Sequence, residues 1–244
     1  MNLALVLDSL PQLLSGLLVT LEITAWALAL GLAASIPLAL MRVSTNPVLR
    51  LPVFGFIFYF RGTPLLVQLF LIYYGSGQFR PELEALGLWV YFREPYFCAV
   101  LTLTLNTAAY TAEILRGSIQ AVPFGEIEAA RACGMSRGLL YRRIILPKAF
   151  RLALPAYSNE VVFLFQATSL VSIITLLDLT GVARVMVART FAVYELYIAA
   201  GLLYLACTYL ILWVLRKVEY RLSGHLRPRE AEPARPDLSP AGLP

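Results

Sequence analysis

Apolar residues fall in long runs separated by short polar or Gly/Pro-bearing breaks, and five of the runs are long enough to cross a bilayer. Crossing takes roughly 20 predominantly apolar residues per helix. The runs cover about Pro11 to Met41, Val48 to Tyr74, Tyr96 to Ile119, Ala153 to Leu177 and Leu196 to Leu215. Arg61-Gly62-Thr63-Pro64 breaks the second run. The pattern predicts an all-α integral membrane protein with five transmembrane helices. It places a transmembrane domain at 11–220, an inter-span loop at 120–148 and a tail at 221–244. The tail is rich in Pro, Arg and Glu and lacks apolar periodicity, a composition that predicts disorder.

Composition supports the reading. The chain is 59% hydrophobic and 14% charged, with a mean hydropathy of +0.72; soluble domains carry about 25% charged residues. A net charge of +5 reports topology in such a chain, not nucleic-acid binding. Arg42 and Arg50 follow the first span, Arg131, Arg137, Arg142, Arg143, Lys148 and Arg151 follow the third, and Arg216, Lys217 and Arg221 follow the fifth. The positive-inside rule makes these regions cytoplasmic, with the N-terminus outside, the C-terminus cytoplasmic, and Gly77 and Gly181 accessible from outside. Met1 to Leu10 has no positive n-region and reads as the start of a retained span, not a signal peptide. Cys98, Cys133 and Cys207 are isolated, and His225 is the only histidine, so no metal site is expected.

The loop between the third and fourth spans carries the chemistry. Pro123 suits a first helical turn, Glu126 and Glu128 suit the positive end of the dipole, and Gly134 suits a left-handed position after the helix. Ser136 then caps a second helix through Leu139, Leu140 and Tyr141, which Pro147 is expected to end. Ala129, Ala130 and Ala132 give the first helix a small face that admits a close partner. On these features alone, a loop helix resting on the membrane is the plainer reading.

The spacing changes that. Glu128-Ala129-Ala130, three residues, Gly134, nine residues, Ile144, one residue and Leu146-Pro147 resembles the cytoplasmic EAA signature of ABC importer permeases. Arg61-Gly62-Thr63-Pro64-Leu65-Leu66-Val67-Gln68-Leu69 and the stretch Asn106 to Gly117 resemble the second and third spans of polar amino-acid permeases. Ala153 to Glu160 is similar to the branch that handles histidine, arginine, ornithine or opines. The resemblance covers the chain to about Ser223, and Cys133 departs mildly from it. It implies the type-1 importer permease fold in a bacterial inner membrane, paired with an identical or homologous permease subunit. It further implies a separate P-loop ATPase docked on Glu128, Ala129, Ala130, Gly134, Ile144, Leu146 and Pro147, and a soluble binding protein that delivers the amino acid. Membrane lipid is the remaining partner; nucleic acid is not one. No cofactor is expected on this chain, with ATP held by the ATPase. The two lysines, Lys148 and Lys217, lie in no Walker A context, and no Ser/His/Asp set suggests an enzyme.

Charged and polar residues inside spans are costly and mark function or pairing. Glu160 is the expected counter-charge for a cationic substrate, with Gln68, Thr168 and Ser169 along its path. The plainer alternatives are a Glu160 bond to Ser158, Asn159 or another subunit, and back-bonding of Thr168 and Ser169 to their own helix. Arg61 reads as a snorkelling anchor, Glu113 as a solvated or helix-pairing group, and Glu22 as too distant in depth to pair with Arg61. A secondary transporter should repeat the Gly62-Thr63-Pro64 break in a second half, and a scaffold should carry a cytoplasmic domain; neither explains the EAA spacing.

Overall fold

The first and third apolar runs pack so closely that a side chain is missing where they meet. A Cβ on Gly31 would stand 2.2 Å from Thr107 Cγ2. Small residues of this kind let membrane helices approach, because apolar surface alone gives no preference for a helix over lipid. The computed structural model describes residues 3–222, which contain helices and no strand. In chain order the helices are α1 (Leu3–Val43), α2 (Pro47–Gly62), α3 (Leu65–Tyr73), α4 (Arg80–Ala85), α5 (Trp89–Phe92) and α6 (Pro95–Gln120), then α7 (Phe124–Ala132), α8 (Arg137–Leu140), α9 (Leu146–Ala167), α10 (Leu179–Thr190) and α11 (Val193–Leu222). 3₁₀ turns occupy Gly75–Phe79 and Thr168–Ile174, and a π turn occupies Tyr141–Ile145.

α6 is the central post. It packs against α1, α2, α3 and α9, and buries Asn106, Thr107, Ala108 and Ala109 in succession. Four helical stretches are long and apolar enough to span: α1, α6, the run 137–174 and α11. The fifth is the broken pair formed by α2 and the segment from Leu65, bent by 107°. Four of the five expected spans are therefore present as span-length helices, and the second reaches span length only when α2 and the segment from Leu65 are counted together. α1 begins at Leu3, not near Pro11, and Pro11 lies inside it. Most of the expected tail lies outside the described residues, although Arg221 and Leu222 still belong to α11.

One element departs from the expected pattern of spans and loops. α10 occupies the stretch expected to be an outside loop, and its Leu179, Ala183 and Met186 pack with Leu13 and Leu17 of α1 and Leu196, Ala199 and Ala200 of α11. Asp178 caps it: Oδ1 accepts from the Gly181 N–H at 2.9 Å, and Oδ2 from the Thr180 N–H at 3.2 Å. The Leu179 N–H donates to Thr20 Oγ1 of α1 at 3.1 Å, and Tyr204 Oη of α11 donates to Asp178 Oδ2 at 3.3 Å. Gly181 is therefore buried, not accessible. A Cβ there would sit 2.2 Å from the Leu176 carbonyl oxygen. A 12-residue helix is too short to register as a span, so a search for span-length runs passes over it.

Gly181→Ala is expected to lower the unfolding midpoint of the purified protein by several degrees, since overpacking against backbone costs about 1–3 kcal/mol. Gly55→Ala has no neighbour within 4 Å of its Cβ and should leave the midpoint unchanged or raised. Equal midpoints for Gly181→Ala and the parent would refute the close packing of α10.

Candidate functional site

Two constellations stand out, an elbow between α6 and α9 and a polar seam along α6. In the elbow, α7 ends as its sequence suggests. Gly134 has φ +76°; its N–H bonds to the Arg131 carbonyl at 2.9 Å, and that of Met135 to Ala130 at 3.2 Å. This is the paired closure of a Schellman motif, which needs a left-handed residue. Ser136 Oγ accepts from the Leu139 N–H and starts α8. Ile127, Ala130, Met135, Leu140, Ile144, Ile145 and Leu146 pack in one cluster with Ala39, Leu115 and Ile119. That cluster fixes the elbow to the ends of α1 and α6. Lys148 and Glu126 form an ion pair between α9 and α7.

The expected docking residues therefore divide. Glu128, Ala129 and Gly134 are exposed, whereas Ala130, Ile144 and Leu146 face their own chain. Phe124, 66% exposed at the start of α7, lies outside the EAA spacing but on the same exposed side of the helix as Glu128. Pro147 does not end a helix. It lies in the first turn of α9, and the π turn before it, with the Leu146 N–H reaching back to the Tyr141 carbonyl, widens the coil and accommodates the ring that would clash in regular α geometry.

The seam begins at the break between α2 and α3. Thr63 is extended (φ −114°, ψ 147°), as a residue before proline prefers, and carbonyls lose their helical partners. The Gln68 amide replaces them, its Nε2 donating to the Phe60 carbonyl at 2.8 Å, the Thr63 carbonyl at 3.0 Å and Thr63 Oγ1 at 2.8 Å. Asn106 Nδ2 donates in turn to Gln68 Oε1 at 2.9 Å. Gln68 is thus buried and committed to the backbone. Thr168, also buried, donates back to the Phe165 carbonyl at 2.6 Å, while Ser169 is half-buried.

Glu160 is 7% exposed, and Thr107 Oγ1 donates to its Oε1 at 2.9 Å. Its partner lies on α6, not at Ser158 or Asn159. No cation lies within 4 Å of the carboxylate among the described residues. On the neighbouring face of α9, Ala156, Asn159, Phe163 and Gln166 are exposed at helical spacing. Glu113 is paired with Arg116, with a nitrogen-to-Oε2 distance of 2.8 Å, and lies 3.9 Å from Arg61 Nη1. Arg61 is therefore a member of a charge cluster and not a lone anchor. Glu22 accepts from Tyr96 Oη at 2.9 Å.

Residues 10–224 match the family described as binding-protein-dependent transport system inner membrane component. The chain is 48% identical over 229 residues to the nopaline transport system permease protein of Agrobacterium fabrum, covering 94% of this chain and 95% of that one. It is 42% identical over 214 residues to the histidine/lysine/arginine/ornithine transport system permease protein of Escherichia coli K12, covering 88% and 90%. A crystal structure of an amino acid ABC transporter with histidines superposes with a TM-score of 0.80 at 34% identity, over 91% of this chain and 99% of that one.

Gln68→Leu is expected to lower the unfolding midpoint far more than Thr168→Val, because it strips the break of its donors and each stranded buried group costs about 1–3 kcal/mol. A Gln68→Leu protein with unchanged thermal stability would remove Gln68 from this closing role.

Proposed function

Since this chain belongs to the binding-protein-dependent transport system inner membrane component family, we propose that it is a permease subunit of an ATP-driven importer for polar, chiefly cationic, amino acids or opines. It is a multi-pass protein of a bacterial inner membrane. The elbow carries the reading: a helix with Phe124, Glu128 and Ala129 exposed on one side and clamped to the span ends on the other. Relatives named for nopaline and for the basic amino acids histidine, lysine, arginine and ornithine support the substrate class.

In this reading the N-terminus is outside and the C-terminus cytoplasmic, as the arginine distribution favours. The transmembrane domain is 11–220, and the elbow lies in the cytoplasm against a separate P-loop ATPase that holds the ATP. A soluble binding protein delivers substrate from outside, and an identical or homologous permease completes the path. Coupling requires each nucleotide state to favour one permease conformation through different contacts at α7.

Asn159 and Gln166 are placed on the path in preference to Gln68 and Thr168. Hydrocarbon cannot solvate an exposed amide, so a span face carrying two of them fits water or a second subunit. Glu160, one residue from Asn159, supplies the charge, with one oxygen held by Thr107 and the other without a hydrogen bond among the described residues.

The test is reconstitution of the permease pair and ATPase in liposomes, with binding protein outside and ATP inside. ATP-dependent accumulation of radiolabelled arginine, histidine or nopaline is expected, and its absence for all three overturns the substrate class. Phe124→Asp should cut uptake at least about tenfold, or roughly 1.4 kcal/mol, with an unchanged unfolding midpoint and weakened co-purification of the ATPase. Full uptake in that variant would remove α7 from coupling.

Glu160→Gln keeps shape and hydrogen bonding but removes the charge. Uptake of cationic substrates should fall at least about tenfold, while a neutral substrate carried by the same binding protein is spared. Equal losses for both would make Glu160 a packing residue of the α6–α9 seam.

A further inference from the structure

Three arginines meet one carboxylate where α1, α2 and α6 converge, but only one of them is hydrogen-bonded. Arg116 binds Glu113 Oε2 through Nε at 2.8 Å and Gln120 Oε1 through Nη1 at 2.7 Å. Arg42 Nε stands 3.5 Å from Glu113 Oε1, and Arg61 Nη1 stands 3.9 Å from Oε2. Both separations are too long for good hydrogen bonds, and neither arginine donates one among the described residues. Arg42 Nε and the Glu113 Oε1 it faces are both buried without a hydrogen-bond partner, an arrangement that native proteins avoid.

Their flat faces are nevertheless covered. The Arg42 guanidinium lies 4.8 Å from the Phe54 ring centroid, and that of Arg61 lies 5.2 Å from the Tyr110 centroid. Stacking holds each group in place without using its N–H edges. Both line a cavity of about 350 Å³ together with Glu113, Phe54, Ile57 and Phe58. Among the residues lining the cavity, two guanidinium groups stand against the single carboxylate of Glu113, so its lining carries one surplus positive charge. From the cavity an apolar wall continues outward, since Phe58 is 68% and Phe54 45% exposed on α2.

We propose that this cavity binds the headgroup phosphate of an anionic phospholipid, with Arg42 and Arg61 donating to its oxygens. Guanidinium forks match phosphate geometry, and basic pockets between membrane helices suit anionic headgroups. Phe54 and Phe58 favour a lipid over a free anion, because an acyl chain can cover them and inorganic phosphate cannot. The bound lipid joins α1 to α2 beside the elbow and completes a cluster that Glu113 alone leaves under-bonded.

The assembled transporter, incorporated into nanodiscs of equimolar phosphatidylglycerol and phosphatidylcholine, is extracted and its retained lipid measured by native mass spectrometry. Phosphatidylglycerol should be retained selectively, and Arg42→Gln/Arg61→Gln should weaken its retention at least about tenfold, while Arg42→Lys/Arg61→Lys keeps most of it. Equal retention of the two lipids by the parent protein overturns the proposal, whatever the variants do. Displacement of phosphatidylglycerol by millimolar inorganic phosphate would mean a free-anion site. A spontaneous disulfide between two copies carrying Phe58→Cys would mean that a permease covers this face, and would equally overturn it.

Discussion

Hydrocarbon offers no hydrogen-bond partner, so every departure from helix inside the bilayer must be closed by the chain itself. That constraint explains the most unusual local features of this permease. At the α2–α3 break, a single glutamine amide bonds two stranded carbonyls and a hydroxyl, and an asparagine from α6 fixes the glutamine. At the start of α10, Asp178 and Thr20 take the first backbone donors. Serine and threonine along α1 donate back to their own helix, as Thr24 does to the Thr20 carbonyl. The polar residues of the spans serve the backbone first.

The same constraint makes α6 central. Its successive residues Asn106 and Thr107 serve two different neighbours, the α2–α3 break and Glu160 of α9. One turn and two turns further along, Tyr110 and Glu113 meet Arg61. Polar groups in a span are tolerated when they pair inside the bundle, and here they pair along one strip of one helix. α1 can then lie close against α6 because Gly31 removes the obstacle there.

Much of this was legible in the sequence, and what was not has a common cause. Run length and hydropathy give the five spans, and Gly62-Thr63-Pro64 marks the break. Gly134 and Ser136 announce the elbow's turn, because a left-handed residue and an N-cap are local requirements. Pro147 misleads because the compensating π turn has no local signature. α10 escapes because its apolar face is shorter than a span. Gln68 stood out as polar within a span, but its role depends on carbonyls that only the fold strands. Arg61, Glu113 and Arg42 come from three helices, and their meeting is a fact of packing that no spacing encodes. The EAA spacing, by contrast, identified the elbow through resemblance; its physical chemistry alone would have left a surface helix.

The geometry also bears on how a movement at the elbow would reach Glu160. From Arg137 to Ile174 the backbone stays helical, passing through α8, the π turn, α9 and the 3₁₀ turn. Helix α7 is tied to the base of that rod by the Glu126–Lys148 pair and by Ile127 and Ala130 in the shared cluster. Force on α7 therefore acts on the same rod that carries Glu160, Asn159 and Gln166. Packed helices shift as units, since interiors at crystal-like density resist gradual deformation. The Thr107–Glu160 bond ties the rod to α6 halfway along. A tilt of α9 away from α6 would strain that bond, and in the proposed reading a cation arriving at Glu160 would offset the loss. On the proposed function, substrate at Glu160 and an ATPase at α7 would bias the same rearrangement from two separate points on this connected unit, as linkage requires of coupled sites.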